Sequence, residues 1–397
     1  MSRILLVWEL GSGLGHIDRL LVLARNLRFR GHEISLLLRD TSRAHPRVAA
    51  EGFPMGQAPV WLHPLARPLD HANYTSVLAS AGWMDAVGLA GLIASWRHAY
   101  DCIRPDLVLC DHAPTAALAA RQYLKKVWRV GSSFEVPPSH GHFTAMAYWD
   151  AAARTRCAAD DASLLTHVNA ACALIGDPPL TNLPSLFDDT KAAIASIPEL
   201  AHYDGHDANT PFCGPFFLSD KGRPANWPHG DGARVLVYLE PKHSEFTALM
   251  SALAGLPVRA LVYAKGLSTE AAARLAGPRI QFENEPVHMA DALAQARLVI
   301  SHGGQGTVTA TALAGRPQLV INRHMEQVMT GRRVSQLGIG LAVKPGDRPD
   351  WAALVRRLLD DVHFTNSAQA LASRYAGQTA ETTAARIADL IEADLRS

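Results

Sequence analysis

The sequence predicts an α/β protein made of two doubly wound parallel sheets. Three observations carry this. Short apolar runs of β-prone residues alternate with helix-patterned segments along most of the chain. Two glycine turns, Gly11-Ser12-Gly13-Leu14-Gly15-His16 and Ser301-His302-Gly303-Gly304-Gln305-Gly306-Thr307, each follow such a run and lead into a helix. Between them, Asp204 to Gly232 is dense in Gly, Pro, Asn and Asp and reads as a linker. At 397 residues the chain is long for one core and comfortable for two domains.

Composition narrows the function classes. Hydrophobic residues make up 48% and charged residues 19%, which suits a globular chain and not a disordered one. The formal net charge of +1 gives no electrostatic case for nucleic acid or an anionic membrane. Cys102, Cys110, Cys157, Cys172 and Cys213 are odd in number and form no CxxC pair. That pattern fits a reducing cytoplasm better than a disulfide framework or a zinc site. Glu9 interrupts the opening apolar run, so Arg3 to Trp8 reads as a first strand and not as a signal peptide. No apolar run reaches membrane-spanning length; peripheral membrane contact stays open.

In chain order, Ile17, Leu20, Leu21, Ala24 and Leu27 recur at helical spacing, Gly31 ends that helix, and Glu33 to Leu38 is the second strand. From Thr41 to Gly82, prolines at 46, 54, 59, 64 and 68 predict loops and short segments. Gly82 to Tyr100 is an apolar helix. Pro105 to Asp111 is a strand ending in a carboxylate, with an Ala-rich helix after Pro114. Val127 to Ser132 is a strand, Phe143 to Ile175 mainly helix, Asp177 to Phe187 loop, and Ala192 to Ile197 a short strand.

Past the linker, strands are expected at Arg234 to Leu239, Val258 to Tyr263, Ile280 to Glu283, Leu298 to Ile300 and Gln318 to Ile321. Helices are expected at Phe246 to Ala254, Thr269 to Ala276, from Pro286 onward, and from about Thr307. Thr379 to Leu395 is an amphipathic helix. The second glycine turn has neither a Gly-Lys-Ser/Thr ending nor G-x-G-x-x-G spacing, and in the first turn His16 stands where the third glycine of that spacing belongs. Taken alone, His16 is a capping or surface histidine, Asp111 a helix cap, and Glu326 a first-turn acid favoured by the helix dipole.

Together the motifs say more. HGGQGT at 302–307, AGRPQLV at 314–320, the pair Glu326-Gln327, and GxGxGH followed by LARNLRFRGHEIS resemble glycosyltransferase family 1. That family includes UDP-glycosyltransferases and the enzymes of macrolide and glycopeptide antibiotic pathways. Phe212-Cys213-Gly214-Pro215 and VYLEP at 237–241 resemble it too. The resemblance implies the GT-B architecture, two doubly wound Rossmann-like domains facing across a cleft. It places an acceptor domain at 1–203, the linker at 204–232, a donor domain at 233–375, and a helix at 376–397 returning to the first domain.

The resemblance also implies an inverting transfer of sugar from a UDP- or dTDP-sugar to a hydroxyl of a small-molecule or lipid acceptor. His16 would be the catalytic base and Asp111 its partner. The donor diphosphate would sit on His302, Gly303, Gly304, Gly306 and Thr307, the sugar hydroxyls on Glu326 and Gln327, and the base on the backbone at Val287. The nucleotide sugar is a co-substrate, so no cofactor is expected, and with no Asp-x-Asp in the chain no metal is expected either. This chain departs from the family in lacking Pro-Gln near Val287 and in carrying Glu326 where many members have aspartate. Ala310 stands where many UDP-sugar enzymes carry a ribose-gripping glutamate, which predicts weak discrimination between UDP and dTDP donors. Two other readings belong to the same scaffold: a sugar-nucleotide epimerase or hydrolase, and a non-catalytic sugar-nucleotide-binding subunit. The retention of both His16 and Asp111 speaks against the last.

Overall fold

The computed structural model describes residues 1–11, 13–63, 73–138, 141–217 and 222–397. Ser12 of the first glycine turn, Pro64 and Pro68 of the loop-rich stretch, and residues 218–221 of the linker lie outside the described residues. The chain divides into two compact units, Met1–Phe216 together with Thr379–Ser397, and Phe217–Gln378.

The first unit is built on a parallel sheet of β1 (Arg3–Trp8), β2 (Glu33–Leu38), β3 (Met55–Gln57), β4 (Leu107–Asp111), β5 (Val127–Gly131) and β6 (Lys191–Ile194), in the order β3-β2-β1-β4-β5-β6. Strands β1, β4 and β5 are buried almost throughout, as the centre of a sheet covered on both faces must be. The order reverses between β1 and β4, whose register aligns Trp8 with Asp111. The crevice at that reversal, beyond the carboxyl ends of the strands, is where open α/β sheets bind ligands.

Local chemistry explains where sequence expectation and structure part. Thr41–Glu51 is a helix, not loop. Asp40 caps it by accepting the Arg43 N–H, and this outweighs Pro46 inside it. The helix expected from Gly82 starts at Ala86, because Gly82 sits at φ +87 and Asp85 caps the turn that follows. Helix Ala151–Leu174 likewise waits for its cap, Asp150, so 143–150 is not helical. A short 3₁₀ turn, Leu183–Phe187, interrupts the expected loop, and the strand expected at Ala192 to Ile197 is Lys191–Ile194. Glu9 just past β1 is buried and accepts N–H groups of Thr115 (2.8 Å) and Ala116 (3.3 Å), the start of helix Pro114–Ala120. Burial pushes its carboxyl up to about 7, against those hydrogen bonds.

The last helix, Ala380–Arg396, belongs to the first unit. Its apolar stripe of Ala384, Ile387, Ala388 and Ile391 is buried. Arg30 meets Asp389 (2.6 Å) and Glu392 (3.2 Å), and Asp394 takes the Trp128 indole N–H (2.9 Å) and the Lys191 ammonium (2.5 Å).

The second unit repeats the plan with β7 (Ala233–Tyr238), β8 (Val258–Tyr263), β9 (Ile280–Glu283), β10 (Leu298–Ser301), β11 (Gln318–Ile321) and β12 (Gly340–Val343). The parallel order is β12-β11-β10-β7-β8-β9, so its reversal lies between β7 and β10. The helix expected from Pro286 begins at Met289. Val287 instead forms a parallel bridge with Arg223, which donates its N–H to the Pro286 carbonyl (2.9 Å) and accepts from His288 N–H (2.6 Å). Phe217, Ala225 and Trp227 of the linker pack here with Val287, Val299 and Ala310. Among the described residues no single helix is long and apolar enough to cross a membrane.

Ile387 is fully buried. Ile387→Ala should cost about 2–5 kcal/mol of stability. Denaturant unfolding followed by tryptophan fluorescence should show the loss; an unchanged midpoint would mean the helix contributes little to the first unit's core.

Candidate functional site

One candidate site forms at the β1/β4 reversal of the first unit. His16 is the second residue of helix Gly15–Phe29, which the glycine turn after β1 launches. Asp111 is the last residue of β4 and fully buried. The His16 Nδ1 lies 2.8 Å from Asp111 Oδ1. A carboxylate and a bare ring nitrogen do not approach so closely, so Nδ1 carries the proton and Nε2 is the basic atom. Trp8 stacks on the ring with centroids 5.4 Å apart. Gly11, at φ +84, keeps Nε2 open: a Cβ there would stand 2.6 Å from it.

Two charged residues missed in the sequence complete this site. Arg19, one turn beyond His16, donates from Nε to Asp111 Oδ2 (2.8 Å) and from Nη2 to Oδ1 (2.6 Å). The same Nη2 lies 3.5 Å from Glu135 Oε1, in the segment after β5. Burial alone would raise the Asp111 carboxyl; Arg19 and His16 outweigh it and hold it below the usual range. Burial is likewise outweighed at Glu135, where Arg19, His16, His112 and the Ser132 N–H together keep the carboxyl far below that range. An i, i+3 step from His16 on one helix face was the available signal for Arg19. Glu135 had none, since only the β4–β5 pairing brings it there.

His112, next after Asp111, is strained at φ +46 and buried, with no hydrogen-bond partner at Nε2. It lines a small cavity with Tyr74, Arg129, Glu135 and Phe187. Burial pushes its imidazole down to about 4. His16, His112 and Glu135 each bring one ligand atom within 4.8 Å of the others. A cation there would stand beside the Arg19 guanidinium, which already pairs with Glu135.

The second unit, taken by itself, has a candidate site at its β7/β10 reversal. After β10 the chain turns through His302 and Gly303 into helix Gln305–Leu313. Gly303 has φ +89, and a Cβ there would meet Val320 at 2.6 Å. The turn points the first N–H groups of the helix, including those of Gly306 and Thr307, past the strand end. Gly304 is the N-cap residue. The His302 ring bonds to the Tyr238 backbone, its Nδ1 has no partner, and burial lowers its titration range. Glu326 is half-buried in the first turn of helix Met325–Gln336. Gln327 is buried, and its amide oxygen accepts the Arg323 N–H at 2.8 Å. At its bridge with Arg223, Val287 lies directly against the linker, close enough to Gly222 that a Cβ there would meet the Val287 carbonyl oxygen at 2.7 Å. Thus His302, Gly303, Gly304, Gly306 and Thr307 share one turn, Glu326 and Gln327 follow the neighbouring strand β11, and Val287 precedes the helix leading to β10.

Comparison with known proteins bears on both units. Residues 279–392 match the family described as erythromycin biosynthesis protein CIII-like, C-terminal domain. Over its whole length the chain superposes on the calicheamicin glycosyltransferase CalG4, with a TM-score of 0.75, 21% identity, and 100% and 98% of the two chains covered. The chain has the GT-B fold, and its residues 279–392 are similar to the erythromycin CIII-like carboxyl-terminal domain. The likeness to glycosyltransferase family 1 read from HGGQGT and its companions is thereby borne out. The GT-B glycosyltransferase VinC, in a complex with dTDP, superposes at a TM-score of 0.63 with 17% identity and full coverage of both chains. Two curated relatives match short stretches. UDP-sugar-dependent glycosyltransferase 52 of Dictyostelium discoideum is 40% identical over 65 residues, and glycosyltransferase GtfC of Amycolatopsis orientalis is 38% identical over 73. These stretches are 16% and 18% of this GT-B chain but only 4% and 18% of the relatives.

The buried His112 sets a pH dependence on the GT-B chain. Its imidazole titrates near 4 in the fold, against about 6.5 in the unfolded chain. Between those values the unfolded chain takes up the proton, so stability falls as pH drops, by about 3 kcal/mol in all. Asparagine tolerates the positive φ. His112→Asn should therefore lose less stability than the parent between pH 7 and pH 4.5, measured by urea unfolding at both; equal losses would show that His112 is not the group responsible.

Proposed function

We propose that this protein is an inverting, metal-independent glycosyltransferase that moves a sugar from a UDP- or dTDP-sugar to a hydroxyl of a small-molecule or lipid acceptor. The observation that carries the reading is the His16–Asp111 pair at 2.8 Å, with Nε2 left open by Gly11. The acceptor lies on the first unit, where His16 Nε2 takes the hydroxyl proton as the oxygen attacks the anomeric carbon. Asp111 holds the tautomer and stabilises the imidazolium. The glycosidic bond to phosphate breaks, and the nucleoside diphosphate leaves with its electrons. On the second unit its charge is met by the N–H groups of Gly304, Gly306 and Thr307 and by His302, with Gly303 shaping the turn. Glu326 and the Gln327 amide N–H group serve the sugar hydroxyls, and the backbone at Val287 serves the base. The helix-terminus anion site supports metal independence, and five cysteines without a disulfide support a reducing cytoplasmic setting.

The donor can be narrowed. Ala310 is 3% exposed and belongs to one buried apolar cluster with Trp227 and Val287, so no carboxylate reaches the ribose from that position. The loop after Tyr238 offers Glu240, which pairs with Arg323 at 2.8 Å. Both support weak discrimination at the ribose, and dTDP-sugars are natural candidates.

Transfer would be followed by mass spectrometry over a panel of dTDP- and UDP-sugars, with chelator present throughout. His16→Ala should lose about 10²–10⁴ in rate while binding nucleoside diphosphate as the parent does; Gly11→Ala should behave likewise. A His16→Ala variant that turns over at the parent rate would remove His16 as the base, and activity restored only by added magnesium would end metal independence. UDP and dTDP should inhibit within about tenfold of each other, a difference of roughly 1.4 kcal/mol or less. A stronger preference for UDP would mean that another group grips the ribose.

A further inference from the structure

A histidine–aspartate pair works as a base because the carboxylate steadies the imidazolium that forms. Here the carboxylate is already engaged. Arg19 holds both oxygens of Asp111 in a fork, at 2.8 and 2.6 Å, and its Nη2 stands 3.2 Å from His16 Nδ1. A fixed positive charge is thus nearly as close to the ring as the negative one, and their fields largely cancel there. The start of helix Gly15–Phe29 adds a positive end that also disfavours a cation at His16. Glu135 restores the balance. It lies 3.5 Å from Arg19, also accepts the Ser132 N–H, and has an oxygen within 4.8 Å of the His16 and His112 ring nitrogens.

We infer that Arg19 and Glu135 are positioning residues for His16: Arg19 locks the Asp111 carboxylate in place, and Glu135 returns to the imidazole the negative field that Arg19 takes away. The inference rests on the reading of His16 as the base. Among the described residues, the groups facing His16 come from four places. Arg19 comes from its own helix, Asp111 and His112 from the end of β4, and Glu135 from the segment after β5, while β1 and the glycine turn present the uncharged Trp8 and Gly11. Asp18 is paired with Arg47 at 2.6 Å. Next to His16 one cation, Arg19, stands against two carboxylates, Asp111 and Glu135, so the immediate neighbourhood favours a proton on the ring; Arg129 lines the small cavity with His112 and Glu135 and is the same in every variant below. Losing Glu135 removes that driving force; losing Arg19 strengthens it.

The test is the titration of the His16 ring in the full chain by ¹⁵N-histidine NMR, its signal assigned by loss in His16→Ala, alongside the pH profile of transfer. Glu135→Gln should move the ring's changeover, and the acid limb of the rate profile, to lower pH. Arg19→Gln should move both to higher pH, and the double variant should return close to the parent. Single variants that leave the changeover in place, or move it in one common direction, would overturn the inference. Should Arg19→Gln fail to fold, Glu135→Asp carries the test, since it withdraws the carboxylate by one methylene at constant charge. A smaller displacement to lower pH is then expected, and no displacement would be fatal. The ring titration needs neither donor nor acceptor. Opposite displacements in a chain that forms no glycoside with any donor would therefore overturn the transferase reading and leave the charge arrangement standing.

Discussion

The Asp111 carboxylate is the point on which the first unit's chemistry depends. It is fully buried, so its charge is tolerable only because donors surround it. Arg19 supplies two and His16 a third, and both come from one helix launched by one turn. The parallel register that aligns Trp8 with Asp111 brings that turn and that carboxylate to the same edge. Fold and site are therefore one arrangement, because removing the donors would strand a charge in the core.

The second unit solves a different problem with the same topology. It has to receive an anion arriving from solvent, and backbone groups suffice for that. The reversal between β7 and β10 leaves a crevice, Gly303 permits the bend that a side chain would block, and the helix start does the rest. Its charged side chains near that edge, Glu240 and Arg323, satisfy one another.

The architecture was legible in the sequence because parallel strands buried on both faces appear as bare apolar runs, and glycine turns mark their ends. The pairing of His16 with Asp111 was legible only through the family likeness, since 95 residues separate them. Arg19 escaped because an arginine on an amphipathic helix normally faces water, and this one is buried. Glu135 escaped because a three-dimensional path through β4 and β5 delivers it. Helix starts were misjudged wherever an aspartate cap, at Asp40, Asp85 or Asp150, decided the boundary against proline or apolar patterning. At Ala310 the sequence showed a missing carboxylate, but only the fold shows that the position is buried in the apolar cluster that also holds Trp227 and Val287.

The first unit is discontinuous along the chain, its final helix arriving from beyond the second unit. A ribosome therefore delivers all of Phe217–Gln378 before the residues that finish the first unit. The second unit can complete its core during synthesis as an uninterrupted stretch. The first must wait with the surface that receives Ile387 and Ile391 uncovered until Thr379–Ser397 leaves the exit tunnel. During that interval the nascent chain is most exposed to aggregation and to chaperone capture, and the half that carries His16 is the last to become native.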